Sequence, residues 1–132
     1  MSTSQKDLAR LAKIARFAML AKEYEFRKAK FYIKRQRSDY PWRLLLELYI
    51  ARAGGYNLPS TSLWAEAGMN ATSGGRWLDF LVAEGFAYRR QVRGHNRAVH
   101  VYLTEHAVTL IEEHLLTIFG QAAKIEQECA PD

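Results

Sequence analysis

The sequence predicts a mainly α-helical fold with a small β-hairpin. Three observations predict it. Apolar residues recur at helical spacing over most of the chain. A glycine separates two short helical segments in the middle of the chain. A stretch with strand-like alternation and a glycine-containing turn follows these segments directly. The predicted order is therefore helix, helix, two short helices, hairpin, helix.

The composition is that of one globular domain, and we assign residues 1–132 to it. The 132 residues are 48% hydrophobic and 25% charged, which suffices for one core. No apolar run approaches the roughly 18 residues of a membrane span, and the first residues lack the apolar centre of a signal peptide. The single cysteine, Cys129, excludes an intramolecular disulfide. We therefore expect a cytoplasmic protein with no membrane partner.

A long first helix is predicted from Asp7 to about Phe31, within an N-terminal segment of residues 7–36. Apolar residues such as Leu8 and Leu11 recur along it at helical spacing, and neither Gly nor Pro interrupts them. The helix carries more apolar surface than one small core needs.

The second helix is predicted from Trp42 to Ala53. Cap-type side chains and Pro41 precede it, and a proline suits the first turn of a helix. Gly54 and Gly55 follow and are expected to end it.

Two short helices are predicted next, over residues 60–66 and 71–84. Gly68 lies between them, Asn70 is suited to cap the second, and Gly85 is expected to end it. Two helices joined by so few residues indicate a helix-turn-helix.

The predicted hairpin spans residues 86–92 and 97–103, and its turn is Arg93-Gly94-His95-Asn96. No acidic residue occurs between positions 86 and 104. Such a density of like charge is self-repelling unless something anionic lies opposite. The four arginines of this stretch are Arg89, Arg90, Arg93 and Arg97.

The last helix is predicted over residues 105–128. It lies in a C-terminal part of the chain that is acidic, whereas the rest of the chain is basic. Residues 1–97 carry 18 Lys and Arg against 8 Asp and Glu, whereas residues 98–132 carry 1 against 6. A chain sorted in this way presents a basic face to a polyanion and keeps its acidic end elsewhere.

A helix-turn-helix followed at once by a basic hairpin is the winged-helix arrangement, here over residues 41–104. In this arrangement the second helix of the pair enters the DNA major groove, and the hairpin, or wing, reaches a neighbouring groove or the backbone. The sequence therefore predicts a protein that binds double-stranded DNA. A solvated basic surface is the alternative for the arginines.

Helical spacing divides the second short helix into two faces. The candidate DNA face consists of Ala71, Thr72, Gly75, Arg76 and Asp79, and the opposite face of Gly74, Trp77, Leu78 and Leu81. Thr72 and Ser73 lie at the N-terminal end of the helix, where hydroxyls and free N–H groups can bind phosphate. Arg76 can bind a phosphate or a guanine edge, although it could instead form an ion pair with Asp79 or Glu84.

The same helix contains two adjacent glycines that spacing places on different faces. Gly74 is expected to face inward and to make room for the ring of Trp77 or Trp64. Gly75 is expected to face DNA, where it permits close approach of the backbone without a base contact.

The segments LPSTSLWAEAGMNATSGGRWLDFLVAEGFAYRR and NRAVHVYLTEHAVTLIEEHL resemble the MarR family of winged-helix transcriptional regulators. The positions that match the family pattern are Leu63, Gly68, Leu78, Leu81, Gly85, Phe86, Arg89, Arg90, Arg97, Val99, Val101, Leu103, Thr104 and Glu105. The chain is shorter than is usual in the family. The resemblance implies a homodimer built by the first and last helices, with recognition helices in successive major grooves.

The resemblance also implies a DNA contact at the tip of the wing. The family usually carries Asp-x-Arg there, with the aspartate bracing the arginine, whereas this chain has His95-Asn96-Arg97. We therefore count these three residues among the DNA-binding candidates, with the brace of Arg97 in question. Small aromatic effectors are common in the family, but the sequence shows no polar constellation that defines a pocket for one.

The basic run between Arg27 and Arg37 holds six cations in eleven residues and no acid. It could extend the DNA contact, or pair with the acidic residues Glu105, Glu112 and Glu113 of the last helix of the same or the other subunit. The histidines form no metal motif, and no phosphate loop, nucleophile elbow or paired carboxylates are recognisable. We therefore expect no metal, no cofactor and no enzyme activity. The alternative function is a protein-interaction module whose basic surface binds an acidic protein.

Overall fold

A computed structural model of the chain describes residues 4–31, 40–92 and 98–129. Within these ranges it forms five helices and three short strands. The helices are α1 (Gln5–Phe31), α2 (Tyr40–Gly54), α3 (Ser60–Ala67), α4 (Ala71–Ala83) and α5 (Glu105–Cys129), and the strands are β1 (Leu58–Pro59), β2 (Ala87–Gln91) and β3 (Val99–Leu103). The predicted mainly helical fold class is confirmed.

The five helices lie where the periodicity predicts them. Two helices begin two residues before the predicted start, α1 at Gln5 rather than Asp7 and α2 at Tyr40 rather than Trp42. Pro41 therefore lies inside the first turn of α2, where its missing N–H is not needed. The described helices include none that is long and apolar enough to cross a membrane.

The sheet contains one strand that the sequence does not predict. Its order is β1-β3-β2, with both pairs antiparallel, so the predicted hairpin of β2 and β3 is joined by β1. Leu58 of β1 lies opposite Val101, and Arg89 of β2 lies opposite Val101 from the other side. Two residues are too few to show an alternating pattern, and Pro59 is tolerated because β1 is an edge strand.

The core lies where α1, α2 and α5 meet the helix-turn-helix and the inner face of the sheet. Every helix contributes fully buried aliphatic side chains to it, as do β1 and β3. The largest of these side chains are Ile14, Leu44, Leu46, Leu63, Leu78, Leu81 and Leu115. Burial of Leu78 and Leu81 fixes one side of α4 against the core, which determines the side that faces outward.

Two ion pairs of Lys22 join α1 to α2 and to α3. Lys22 Nζ lies 2.9 Å from Glu47 Oε1 of α2 and 3.4 Å from Glu66 Oε2 of α3. Glu47 is only 3% exposed. Burial raises the pKa of Glu47 more than Lys22 lowers it. Burial also lowers the pKa of Lys22, but the two carboxylates together raise it more.

We expect Lys22→Met to destabilise the fold in a pH-dependent manner. At pH 8 the variant leaves the buried Glu47 carboxylate without its Lys22 partner, at a cost of about 2 kcal/mol. Lys22 lowers the pKa of the buried Glu47, so its removal raises that pKa further, and the folded variant takes up a proton at a higher pH than folded wild type does. The difference in unfolding free energy from wild type should therefore narrow between pH 8 and pH 5.

Urea denaturation at several pH values measures this difference. Glu66→Gln is the control, because Glu66 contacts the same lysine but has a side chain that is 56% exposed. It should change stability by less than about 0.5 kcal/mol. If Lys22→Met lowers the free energy of unfolding equally at pH 5 and pH 8, the role assigned to Glu47 is contradicted.

Candidate nucleic-acid interface

The helix-turn-helix is formed by α3, a tight turn and α4. Gly68 ends α3 in the left-handed region, with φ 70° and ψ 37°, a conformation that glycine adopts at little cost. Asn70 then caps α4, because its Oδ1 accepts a hydrogen bond from the backbone N–H of Ser73 at 2.8 Å. The predicted turn and cap are both confirmed.

The two faces of α4 are sharply different. Gly74, Leu78 and Leu81 are buried. Thr72 and Arg76 are exposed on the opposite side, together with Asp79. Ser73 and Gly75 are half-buried at the boundary between the two faces. The division of α4 that helical spacing predicts is therefore confirmed for these residues, whereas Gly75, expected to face DNA, and Trp77, expected to face inward, are both half-buried.

The adjacent glycines have the different environments that their positions predict. A Cβ built on Gly74 would lie 2.6 Å from Cδ2 of Trp64, which is closer than real Cβ contacts allow. The ring that occupies this space is therefore that of Trp64 and not that of Trp77. A Cβ on Gly75 would have no atom within 4 Å.

Arg76 does not form the ion pairs that we considered for it. Among the described residues it pairs with neither Asp79 nor Glu84. Asp79 instead accepts a 2.6 Å hydrogen bond from Nη2 of Arg89 on β2. The side chain of Arg76 is therefore exposed without an ion-pair partner among the described residues, and the Asp79–Arg89 pair joins α4 to β2.

Arg89 and Arg90 point to opposite faces of the sheet, as neighbours in a strand do. Arg89 lies on the side of α4. The guanidinium carbon of Arg90 lies 5.8 Å from the ring centroid of Tyr88 and 5.9 Å from that of Tyr102. The two tyrosine rings stack on each other, with centroids 5.4 Å apart. Both arginines are exposed but held, one by a carboxylate and the other by an aromatic pair.

Four of the predicted site residues, Arg93, His95, Asn96 and Arg97, lie outside the described residues. They remain sequence-based predictions, as does the question of the brace for Arg97. The side chains of the basic run between Arg27 and Arg37 are likewise not described. Two of the acidic residues considered as its partners contact other groups: Glu105 lies 3.1 Å from Nη2 of Arg52, and Glu112 accepts a hydrogen bond from Tyr49 at 2.8 Å.

The sequence does not reveal a groove between α1, α2 and α5. Its volume is about 490 Å³, and its polar lining includes Tyr49, Arg52, Glu105 and Glu112. Burial, reinforced by the hydrogen bond to Glu112, raises the pKa of Tyr49. These residues come from helices that are distant in sequence, so no local motif could have indicated the groove.

Solved structures with the same architecture include MarR family transcriptional regulators. A MarR family transcriptional regulator from Silicibacter pomeroyi is 28% identical, with a TM-score of 0.53, over 70% of this chain and 59% of that protein. The match thus spans less than two thirds of that regulator. A MarR transcriptional regulator from Methanosarcina mazei is 23% identical, with a TM-score of 0.52, over 89% of this chain and 84% of its own.

A mutant of MepR from S. aureus is 13% identical, with a TM-score of 0.58, over 98% of this chain and 87% of its own. No family model matches the sequence, and no curated protein matches it significantly.

A helix-turn-helix followed by a two-stranded wing, packed between long first and last helices, defines a winged-helix protein. The chain is MarR-like within that class.

Proposed function

We propose that the chain is a cytoplasmic, homodimeric transcriptional regulator that binds double-stranded DNA sequence-specifically. The observation that carries this proposal is the exposed side of α4. It presents Thr72 and Arg76, which forms no ion pair with any described residue, beside the half-buried Gly75 and a wing strand with two exposed arginines. A helix face with an exposed arginine next to small residues such as Thr72 and Gly75 suits the major groove.

The residues of the interface have distinct proposed roles. Thr72 and Ser73 bind phosphate at the N-terminal end of α4, where the helix dipole favours an anion. Arg76 reads a base edge. The arginines of the wing, Arg89, Arg90, Arg93 and Arg97, together with His95 and Asn96, contact phosphates and the minor groove.

The test of DNA binding is a mobility-shift titration with the duplex upstream of the chain's own gene, at 50 and 200 mM salt. A dimer that neutralises about four or more phosphates should lose about 100-fold or more in affinity between these concentrations. A scrambled duplex should bind more weakly at both. Absence of both specific and salt-sensitive binding would overturn the proposal, and stoichiometric capture of an acidic protein instead would favour the interaction-module alternative.

Exposed apolar side chains on α1 and α5 support the homodimer. A monomer gains nothing by exposing large apolar groups along two neighbouring helices, whereas burial in a dimer stabilises them. The exposed groups are Leu8, Leu11, Met19, Leu20 and Tyr24 on α1 and Leu110 and Ile118 on α5.

We expect Ile118→Glu to convert the dimer into monomers, because a charge at a buried apolar interface is strongly disfavoured. Light scattering coupled to size-exclusion chromatography measures the mass. Phe80→Glu is the matched control, since Phe80 is 47% exposed and Ile118 50%, but Phe80 lies on α4. An Ile118→Glu protein that stays folded and dimeric would contradict this use of α5.

A further inference from the structure

Asp79 is an acidic residue on the side of α4 that faces outward with Arg76. Its side chain is 68% exposed. If α4 lies in a DNA groove, a carboxylate at this position approaches phosphates and is repelled by them. A carboxylate whose sole effect was to weaken DNA binding would be unfavourable on this surface. We therefore expect Asp79 to make a favourable contact of its own.

Arg89 partly compensates the charge of Asp79 and fixes its position. Nη2 of Arg89 donates to Oδ1 of Asp79 at 2.6 Å, and the two side chains come from α4 and β2. Within the described part of the chain, the second oxygen, Oδ2, has no hydrogen-bond donor. The carboxylate is thus held in one place with an acceptor left free.

Asp79 and Arg76 are three residues apart, so they lie on the same side of α4 and are separated by about 4.5 Å along its axis. That separation is close to the 3.4 Å step between successive base pairs. Two side chains so placed can reach neighbouring base pairs. An arginine donates to the O6 and N7 of guanine, and an aspartate accepts from the N4 amino group of cytosine.

We propose that Asp79 determines specificity: Oδ2 accepts a hydrogen bond from a cytosine amino group, next to a guanine bound by Arg76, while Arg89 positions the carboxylate. This inference rests on the proposed function, since it requires α4 to lie in the major groove. The alternative is that the contact between Asp79 and Arg89 only joins α4 to β2. Such a contact affects stability or overall affinity and leaves base preference unchanged.

The test is selection of duplexes from a randomised pool by the full chain, followed by titration of the selected half-site. Wild type should select cytosine beside guanine. Asp79→Asn should select adenine in place of that cytosine, because an amide pairs with the N6 and N7 of adenine. On a half-site with this single exchange, the variant should gain about 5-fold to 150-fold relative to wild type.

Two further variants separate base reading from charge and folding. Asp79→Ala should lose the preference for cytosine without acquiring one for adenine. Glu84→Gln makes the same change of charge at the C-terminal cap of α4, away from Arg76, and should keep the wild-type preference. Circular dichroism establishes that each variant is folded.

The outcomes distinguish this inference from the proposed function. If wild type selects no sequence, both are overturned. If wild type selects a half-site and both Asp79 variants select the same one with every base unchanged, the role of Asp79 is wrong and the proposed function stands. The inference is supported if the selected base changes from cytosine to adenine in Asp79→Asn and does not change to adenine in Asp79→Ala.

Discussion

Gly74→Val should lower the free energy of unfolding by about 3 kcal/mol, the largest loss of stability we expect from an uncharged substitution in α4. A Cβ at this position would already lie 2.6 Å from Cδ2 of Trp64. The two γ-methyl groups of valine extend further toward the same rigid indole. Overpacking of a buried site costs about 1–3 kcal/mol, and the cost lies at the upper end where the neighbour cannot move. Chemical denaturation followed by circular dichroism measures the loss.

Gly75→Ala is the matched control, one residue away in the same helix. A Cβ there has no atom within 4 Å. Alanine should therefore stabilise α4 by up to about 1 kcal/mol, the difference in helix propensity. In combination with Trp64→Leu, Gly74→Val should cost much less than it does alone. Equal effects of the two glycine substitutions would show that Trp64 does not fill the space above Gly74.

Arg76→Ala should produce the largest loss of DNA binding among single substitutions in α4. Arg76 is exposed and forms no ion pair with any described residue, so the full strength of its contact is available to DNA. Loss of an arginine that reads guanine should cost about 1–3 kcal/mol of binding free energy and relax the preference at one base position. Fluorescence anisotropy with the preferred half-site and its single-base variants measures both effects.

Arg16→Ala controls for the loss of one positive charge, since Arg16 is exposed on α1. It should reduce affinity little and alter no base preference. Arg97→Ala, in the wing tip, should weaken binding equally on all sequences, as removal of a phosphate contact does. An Arg76→Ala protein with unchanged affinity and preference would remove Arg76 from the interface.

The helices and the two faces of α4 follow from local sequence. Periodic apolar positions, the cap at Asn70 and the turn at Gly68 depend on residues within a few positions of one another, so they can be predicted without knowledge of the fold. The inward orientation of Gly74 follows from spacing alone. The ring that packs against Gly74 cannot be predicted in this way, because helical spacing leaves Trp64 and Trp77 as equivalent candidates. Only the packing of α3 on α4 shows that the ring is that of Trp64.

The features that the sequence does not predict depend on contacts between distant segments. Strand β1 forms because Leu58 and Pro59, in the connection between α2 and α3, pair with the edge of β3. The pairing of Asp79 with Arg89, and the position of Arg90 over two tyrosines, follow from the register of β2 against β3 and from the packing of α4. Neither register nor packing can be read from a local pattern.

A hydroxyl-radical footprint of wild type on the duplex upstream of its gene tests whether a dimer of the chain places its two α4 helices on DNA. Two recognition helices in a symmetric dimer should protect two segments whose centres lie about one helical turn apart, roughly 10 base pairs. Protection should disappear at high salt, because phosphate contacts supply much of the affinity. A folded, dimeric protein that leaves the cleavage pattern unchanged at saturating concentration would contradict the account.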